Sequence, residues 1–294
     1  MASQQDIKRR IRSIRSTHKI TKAMELVSAA KLRRAQQRIV AMRPYADRML
    51  ELITSTSRAV GNVHGLPLLE SRETRTVALV PLTGDRGLAG AFNAQVLRRS
   101  FALERDLQAQ GIEVRWLVGG KRGRSSLRFR HRELAKSWTG FSDRPEFGDA
   151  QAVAHGLSEL YASAQVDTVL LVYNRFVTPI TQTVVEQEIL PLPRQVLEGF
   201  DERDAPPPVR GEVLYEPDSE AILARLIPAY LETEIFRALL ESAASEHGAR
   251  MSAMRNASKN AEELIDHLTL VMNRARQADI TREILEVVAG ADAL

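Results

Sequence analysis

The chain has 294 residues, 44% of them hydrophobic and 27% charged, and its 41 Lys and Arg against 37 Asp and Glu give a formal net charge of +4. That length holds one large or two moderate domains, and the composition argues against disorder throughout. No stretch approaches about eighteen consecutive apolar residues, which excludes a spanning helix and leaves any membrane association to a partner, while the absence of cysteine excludes disulfides, thiolate metal sites and cysteine catalysis and suits a reducing compartment.

The first sixty residues carry a seam of positions alternately four and three apart: Ile7, Ile11, Ile14, His18, Thr21, Glu25, Ser28, Leu32, Ala35, Ile39, Met42, Ala46, Met49, Ile53, Thr56 and Val60. Eleven of these sixteen are apolar, the spacing of a coiled-coil face. A helix of that length spans roughly 80 Å, too long for one small domain to cover. Pro44 lies off the seam, so a modest kink there leaves partner packing intact. The chain enters the seam at once from MASQQDIKRR, without an apolar signal core, which favours a bacterial cytoplasmic chain or a mature form. Between Met1 and Arg38 eleven Lys or Arg stand against only Asp6 and Glu25, so this helix is expected to attract an acidic partner if it is more than a solvated basic face. At the centre of the seam His18, Thr21, Glu25 and Ser28 are polar, while Ile20, Ala23, Met24, Leu26 and Val27 put apolar surface off it. Either the register shifts locally or a second, surrounding partner covers that face.

Near Thr74 the texture changes. TVALVPLT (76–83) reads as a strand, GDRGLAGAFN (84–93) as a loop, and about 94–110 as a helix. The strand-like EVRWLVGG (113–120), an amphipathic segment at about 149–164 and VDTVLLVYNRF (166–176) follow. The alternation predicts an α/β domain over 74–198, Rossmann-like, with a mainly parallel sheet. TPITQTVVEQEILPL (178–192) adds a strand after a connection too short for a crossover, hence antiparallel. The stretch 199–218, with Pro206, Pro207 and Pro208, reads as a linker. Helical patterning returns over 219–294, where Met254, Ala257, Ala261, Leu264, Leu268, Val271, Ala275 and Ala278 mirror the first seam. The α/β domain is thus inserted between two long N- and C-terminal helices, 1–60 and 219–294, that form an antiparallel coiled coil. Pro228 and Gly248 mark points where the second helix could bend or start.

The glycines of GDRGLAGAFN could present backbone N–H groups to a phosphate, but the spacing is neither G-x-G-x-x-G nor a P-loop, and a tight strand-to-helix turn is the better reading. VGGKRGRSS (118–126) fits no nucleotide fingerprint either and reads as a solvated basic loop. No two of the six histidines sit three or four apart, so a helical metal pair is absent, and there is no G-x-S-x-G elbow. No active site, cofactor site or metal site is legible.

The stretch IKRRIRSIRSTHKITKAMELVSAAKLRRAQ (7–36), with its KITKAM core, resembles the N-terminal helix of the gamma subunit family of F-type rotary ATP synthases. RPYA (43–46), LTGDRGLAGAFN (82–93) and nearly all of 245–294, above all ITREILEVVAGADA (280–293), continue the resemblance, which is strong in both helices and weak in the middle. It implies a non-catalytic rotor: the helix pair turns inside three alpha and three beta subunits, the α/β domain sits against epsilon and the membrane c-ring, and proton flow is coupled to ATP synthesis or hydrolysis. It further implies that the basic helix meets an acidic loop of beta. The implied location is peripheral, on the cytoplasmic side of the cell membrane, with membrane contact only through partners. By motif position the implied sleeve contacts are Lys22 and Met24 in KITKAM, Arg250 and Arg255 in GARMSAMR, and Arg274, Gln277, Thr281 and Glu283 in NRARQADITRE. Gly84 and Ala89 stand where many members have Ser and Cys, and with no cysteine in the chain thiol control is excluded. Two other classes compete. A nucleic-acid-binding coiled coil would need aromatic stacking residues near the basic run, and 1–38 has none; a nucleotide-dependent enzyme would need a phosphate loop.

Overall fold

The computed structural model describes residues 4–60, 66–178, 181–193, 196 and 218–291. The stretch read as a linker, 199–218, lies outside the described residues except for Asp218. In chain order the elements are α1 (Gln4–Val60), a 3-10 turn (Pro67–Leu69), β1 (Thr76–Pro81), α2 (Phe92–Ala109), β2 (Glu113–Gly119), α3 (Lys121–Phe129), β3 (Leu134–Trp138), α4 (Phe147–Ala162), β4 (Thr168–Phe176), β5 (Gln182–Leu190) and α5 (Ser219–Ala291). Residues up to Ala29 and from Arg250 onward form one compact unit, and Ala30–Ala249 form the other. Each long helix contributes to both.

In the larger unit the five strands lie in the order β3-β2-β1-β4-β5, parallel throughout except for β5, which runs antiparallel to β4. Alternate side chains along each strand point to opposite faces. Ala78, Val80, Leu117, Leu171 and Tyr173 face one core, which α4 fills with Val153, Leu157 and Tyr161, α1 with Met49 and Ile53, and α5 with Leu223, Ile227, Leu231 and Ile235. Leu79, Trp116, Val118 and Val172 face the other, closed by Val96 and Leu103 of α2 and Leu127 of α3. Helices on both faces of a mostly parallel sheet are the layered α/β arrangement expected from the alternation.

Two readings need correction. VGGKRGRSS is not a solvated loop: it holds the end of β2, a glycine turn and the start of α3. The helix was hidden because it buries only Gly123 and Leu127, and the strand after it because β3 is an edge strand with half-buried and exposed positions alternating. Nor does α5 start or stop at Pro228 or Gly248, since one helix runs through both. Pro228 is flanked by buried Ile227 and Leu231, and from Ala238 to Gly248 almost every residue is buried, so packing outweighs the local cost of these residues.

The loop after β1 is a turn, as expected, and the Asp85 carboxylate ties it to its neighbours. Asp85 accepts backbone N–H bonds from Lys121 (2.9 Å), Gly140 (2.9 Å) and Ser142 (3.2 Å), while Asn93 Oδ1 takes the Gly84 N–H at 2.8 Å. The first-turn N–H groups of α3 are thus taken up inside the chain, Lys121 by Asp85, Arg122 by the Gly84 carbonyl at 3.0 Å and Gly123 by the Thr83 hydroxyl at 2.9 Å.

Candidate partner-contact surface

Every position of the first seam from Ile7 to Thr56 is buried or half-buried. Within the smaller unit its polar centre is answered by α5. Thr21 Oγ1 and Ser258 Oγ share a hydrogen bond of 2.8 Å, and both residues are buried. Glu25, 7% exposed, accepts from Arg255 Nε at 3.0 Å and from Lys22 Nζ at 3.0 Å. Residue numbers rise on one helix as they fall on the other, so these segments pair antiparallel. The expected mirror seam holds at six of its eight positions: Met254 and Ala261 are buried and Ala257, Leu268, Val271 and Ala275 half-buried, but Leu264 and Ala278 are exposed, and Ile265 and Asp279 take the inward places. Ser258 likewise replaces Ala257 opposite Thr21. Adjacent residues of similar polarity left the register open in the sequence, and the partner helix decides it.

The hydrogen bond from Arg255, followed by that from Lys22, holds the Glu25 carboxyl below its ordinary value of 4.5 despite the opposing effect of burial. A depressed pKa in the folded state means that the charged pair stabilises fully above the unfolded value and fades as pH falls below it. The protection of the 4–29 and 250–276 amides, taken relative to intrinsic exchange at each pH, is therefore expected to be constant from neutral pH down to about pH 5 and to fall below about pH 4. In Glu25→Gln that acid limb should flatten; an unchanged limb would assign the acid sensitivity elsewhere.

The residues named for partner contact are not alike in the fold. Lys22 and Arg255 are engaged with Glu25, though their side chains remain 55% and 61% exposed, and Met24 is half-buried. Arg250 is buried within the chain. Arg274, Gln277, Thr281 and Glu283 are exposed, with Thr281 Oγ1 donating to the Gln277 carbonyl at 2.9 Å. Beside them lie apolar side chains left about half exposed or more among the described residues: Ile20, Leu26 and Val27 on α1, and Ile280, Ile284, Leu285 and Val288 on α5. The last group escaped the sequence reading, although Ile280, Ile284 and Val288 recur every fourth residue, the signal of a single helix face. Among the described residues no helix is long and apolar enough to cross a membrane, and exposed apolar rows of this kind mark an interaction surface.

The chain matches the protein family described as ATP synthase over residues 3–294. It is similar to the ATP synthase gamma chain of Rubrobacter xylanophilus, at 47% identity over 100% of this chain and 99% of that protein. It is also similar to the gamma chain of Moorella thermoacetica, at 45% identity over the whole of both. Among solved structures it resembles a chain of the Tetrahymena thermophila mitochondrial ATP synthase central stalk and c-ring, with a TM-score of 0.60 and 30% identity over 81% of this chain and 99% of that one. A chain of the Euglena gracilis mitochondrial ATP synthase shares the fold at 18% identity, with a TM-score of 0.65 over 99% of this chain and 94% of that one.

Proposed function

This chain belongs to the ATP synthase gamma family, and from that premise we propose that the exposed apolar rows and polar groups of its helix pair are the surface on which the alpha and beta subunits bear. It is a non-catalytic subunit, the rotor of the central stalk. The single observation that carries the contact proposal is the coexistence of a seam already satisfied inside the pair with uncovered Ile20, Leu26, Val27, Ile284 and Leu285 outside it. Side chains of that size, left in water on both helices, fit a sleeve of three alpha and three beta subunits around the shaft.

A rotor can bias three catalytic sites only if its faces differ, because an equilibrium shifts only through differential contact. The helix pair meets that condition. Apolar Leu26 and Val27, cationic Lys22 and Arg255, and the polar row of Arg274, Gln277, Thr281 and Glu283 point outward from different positions, so a turn presents different chemistry to each neighbour. Lys22, Met24, Arg255 and the exposed polar row are the contacts assigned to the sleeve. Arg250 is assigned to the same region, reached through its neighbours. The α/β domain over 74–198 is assigned to epsilon and the membrane c-ring, which places the chain peripherally on the cytoplasmic side of the cell membrane. Proton flow through the ring would then drive ATP synthesis through rotation.

The first experiment is purification of the tagged chain from its own membranes, with co-purifying proteins identified and ATP hydrolysis measured. Recovery of alpha, beta and epsilon with ATPase activity is the expected result; nucleic acid, or the chain alone, would overturn the assignment. For the contact surface, Gln277→Leu removes one exposed polar group and is expected to lower ATP-driven turnover about threefold, the scale of one neutral hydrogen bond, with assembly intact. Unchanged turnover would remove Gln277 from the contact set.

A further inference from the structure

The segment Lys121–Arg132 is α3 and the turn that ends it, and seven of its twelve residues are Lys, Arg or His while none is Asp or Glu. Its tip carries Phe129, 85% exposed, more than any other large apolar side chain among the described residues. The tip is held firmly. Arg130 lies over the Phe101 ring at 4.4 Å, Arg132 donates to buried Glu104 at 2.9 Å, and His131 turns the chain with φ 55. Phe101 in turn is flanked on its own face of α2 by exposed Arg98 and Arg105. The result is an exposed aromatic ring carried on an anchored turn among guanidinium groups. The open apolar groove of the same unit, about 480 Å³ and lined by Met42, Tyr45, Phe147 and Phe236, involves none of these residues.

An exposed ring set among basic side chains combines the two features that an anionic lipid interface receives. Guanidinium groups pair bidentately with phosphates, aromatic rings favour the boundary between head groups and acyl chains, and an anionic leaflet attracts each nearby basic residue. We propose that Phe129 and the arginines around it dock on anionic phospholipid head groups, the ring seating in the interface and Arg124 and Arg128 meeting phosphates. The proposal rests on the rotor reading, which sets the α/β domain beside a membrane ring.

Because the basic N-terminal helix would also bind anionic vesicles, the test uses the complex with alpha and beta, in which the rotor reading encloses that helix. The chain has no cysteine, so Phe129→Cys can carry an environment-sensitive fluorophore, with Val177→Cys as an exposed control. Vesicles of mixed phosphatidylglycerol and phosphatidylcholine should blue-shift the label at 129 and not at 177, and phosphatidylcholine alone should shift neither. In the unlabelled complex, Arg124→Glu with Arg128→Glu should weaken sedimentation with the mixed vesicles at least tenfold, since each basic charge near such a surface is worth about fivefold. A label at 129 that stays in water while the complex sediments, or charge reversal without effect, would overturn the proposal. So would a shift that needs c-ring in phosphatidylcholine and fails with anionic lipid alone, an outcome that assigns the patch to protein. Failure to assemble with alpha and beta would instead count against the rotor reading itself.

Discussion

Gly120→Ala is expected to destabilise the α/β unit by about 3–5 kcal/mol, the sum of left-handed backbone strain and overpacking against a rigid neighbour. Gly120 sits at φ +96, and a Cβ there would lie 2.0 Å from the Thr83 carbonyl oxygen. That oxygen cannot easily retreat. The Thr83 N–H donates to the Gly119 carbonyl at 2.8 Å, and the Thr83 hydroxyl both donates to that carbonyl at 2.8 Å and receives the Gly123 N–H at 2.9 Å. The Gly120 N–H also donates to the Trp138 carbonyl at 2.8 Å, so the residue joins β1, β2 and β3 at one point. Gly140→Ala is the control: φ is +103, but nothing lies within 4 Å of the added carbon, and only the strain of about 1–2 kcal/mol is expected. Urea unfolding followed by the fluorescence of Trp116 and Trp138 separates the two. Equal midpoints would mean that the Thr83 contact relaxes at little cost.

Glu25→Lys should weaken the helix pair by about 1–3 kcal/mol, because it sets a third cation beside the half-exposed Lys22 and Arg255 in place of their shared acceptor. The loss is local. Amide exchange of 4–29 and 250–276 should rise while the sheet of 76–190 stays protected. Adding Arg255→Glu restores opposite charges across the pair and is expected to recover much of the protection; no recovery would mean that the ionic contact is incidental to pairing. In the assembled complex the single variant should also lower ATP turnover, since a shaft that opens cannot transmit torque. Stability comparable to the native chain in isolation, with turnover still low, would place the effect at the partner contact instead.

Both variants sit where the sequence was partly legible. Alternation of four and three named the first seam from Ile7 to Thr56, because a long helix with a fixed partner must repeat its contacts at nearly the helical period. The parallel strands β1, β2 and β4 were readable from their apolar stretches VALVP, WLV and VLLVY, since both faces are buried there. An antiparallel β5 followed from a short connection. Other features depend on contacts between residues distant in the chain. α3 and β3 carry too little apolar surface to announce themselves, and only docking on β2 fixes them. The α5 register turns on whether Ala257 or Ser258 meets Thr21, and the hydrogen bond of 2.8 Å decides for the serine. Arg250, legible as a polar group on a helix, proves buried, whereas Gln277 and Glu283 prove exposed, a difference set by how far the neighbouring chain extends over each turn.

By itself the sequence determined the two long helices, the α/β insert and the family, because periodicity, apolar runs and motif spelling are local properties of the chain. Only the tertiary structure decided which polar groups pair inside the shaft, which apolar side chains remain for a partner, and that the basic segment after β2 is a helix tipped by an exposed ring. Those outcomes depend on burial, and burial is a property of neighbours brought together by the fold.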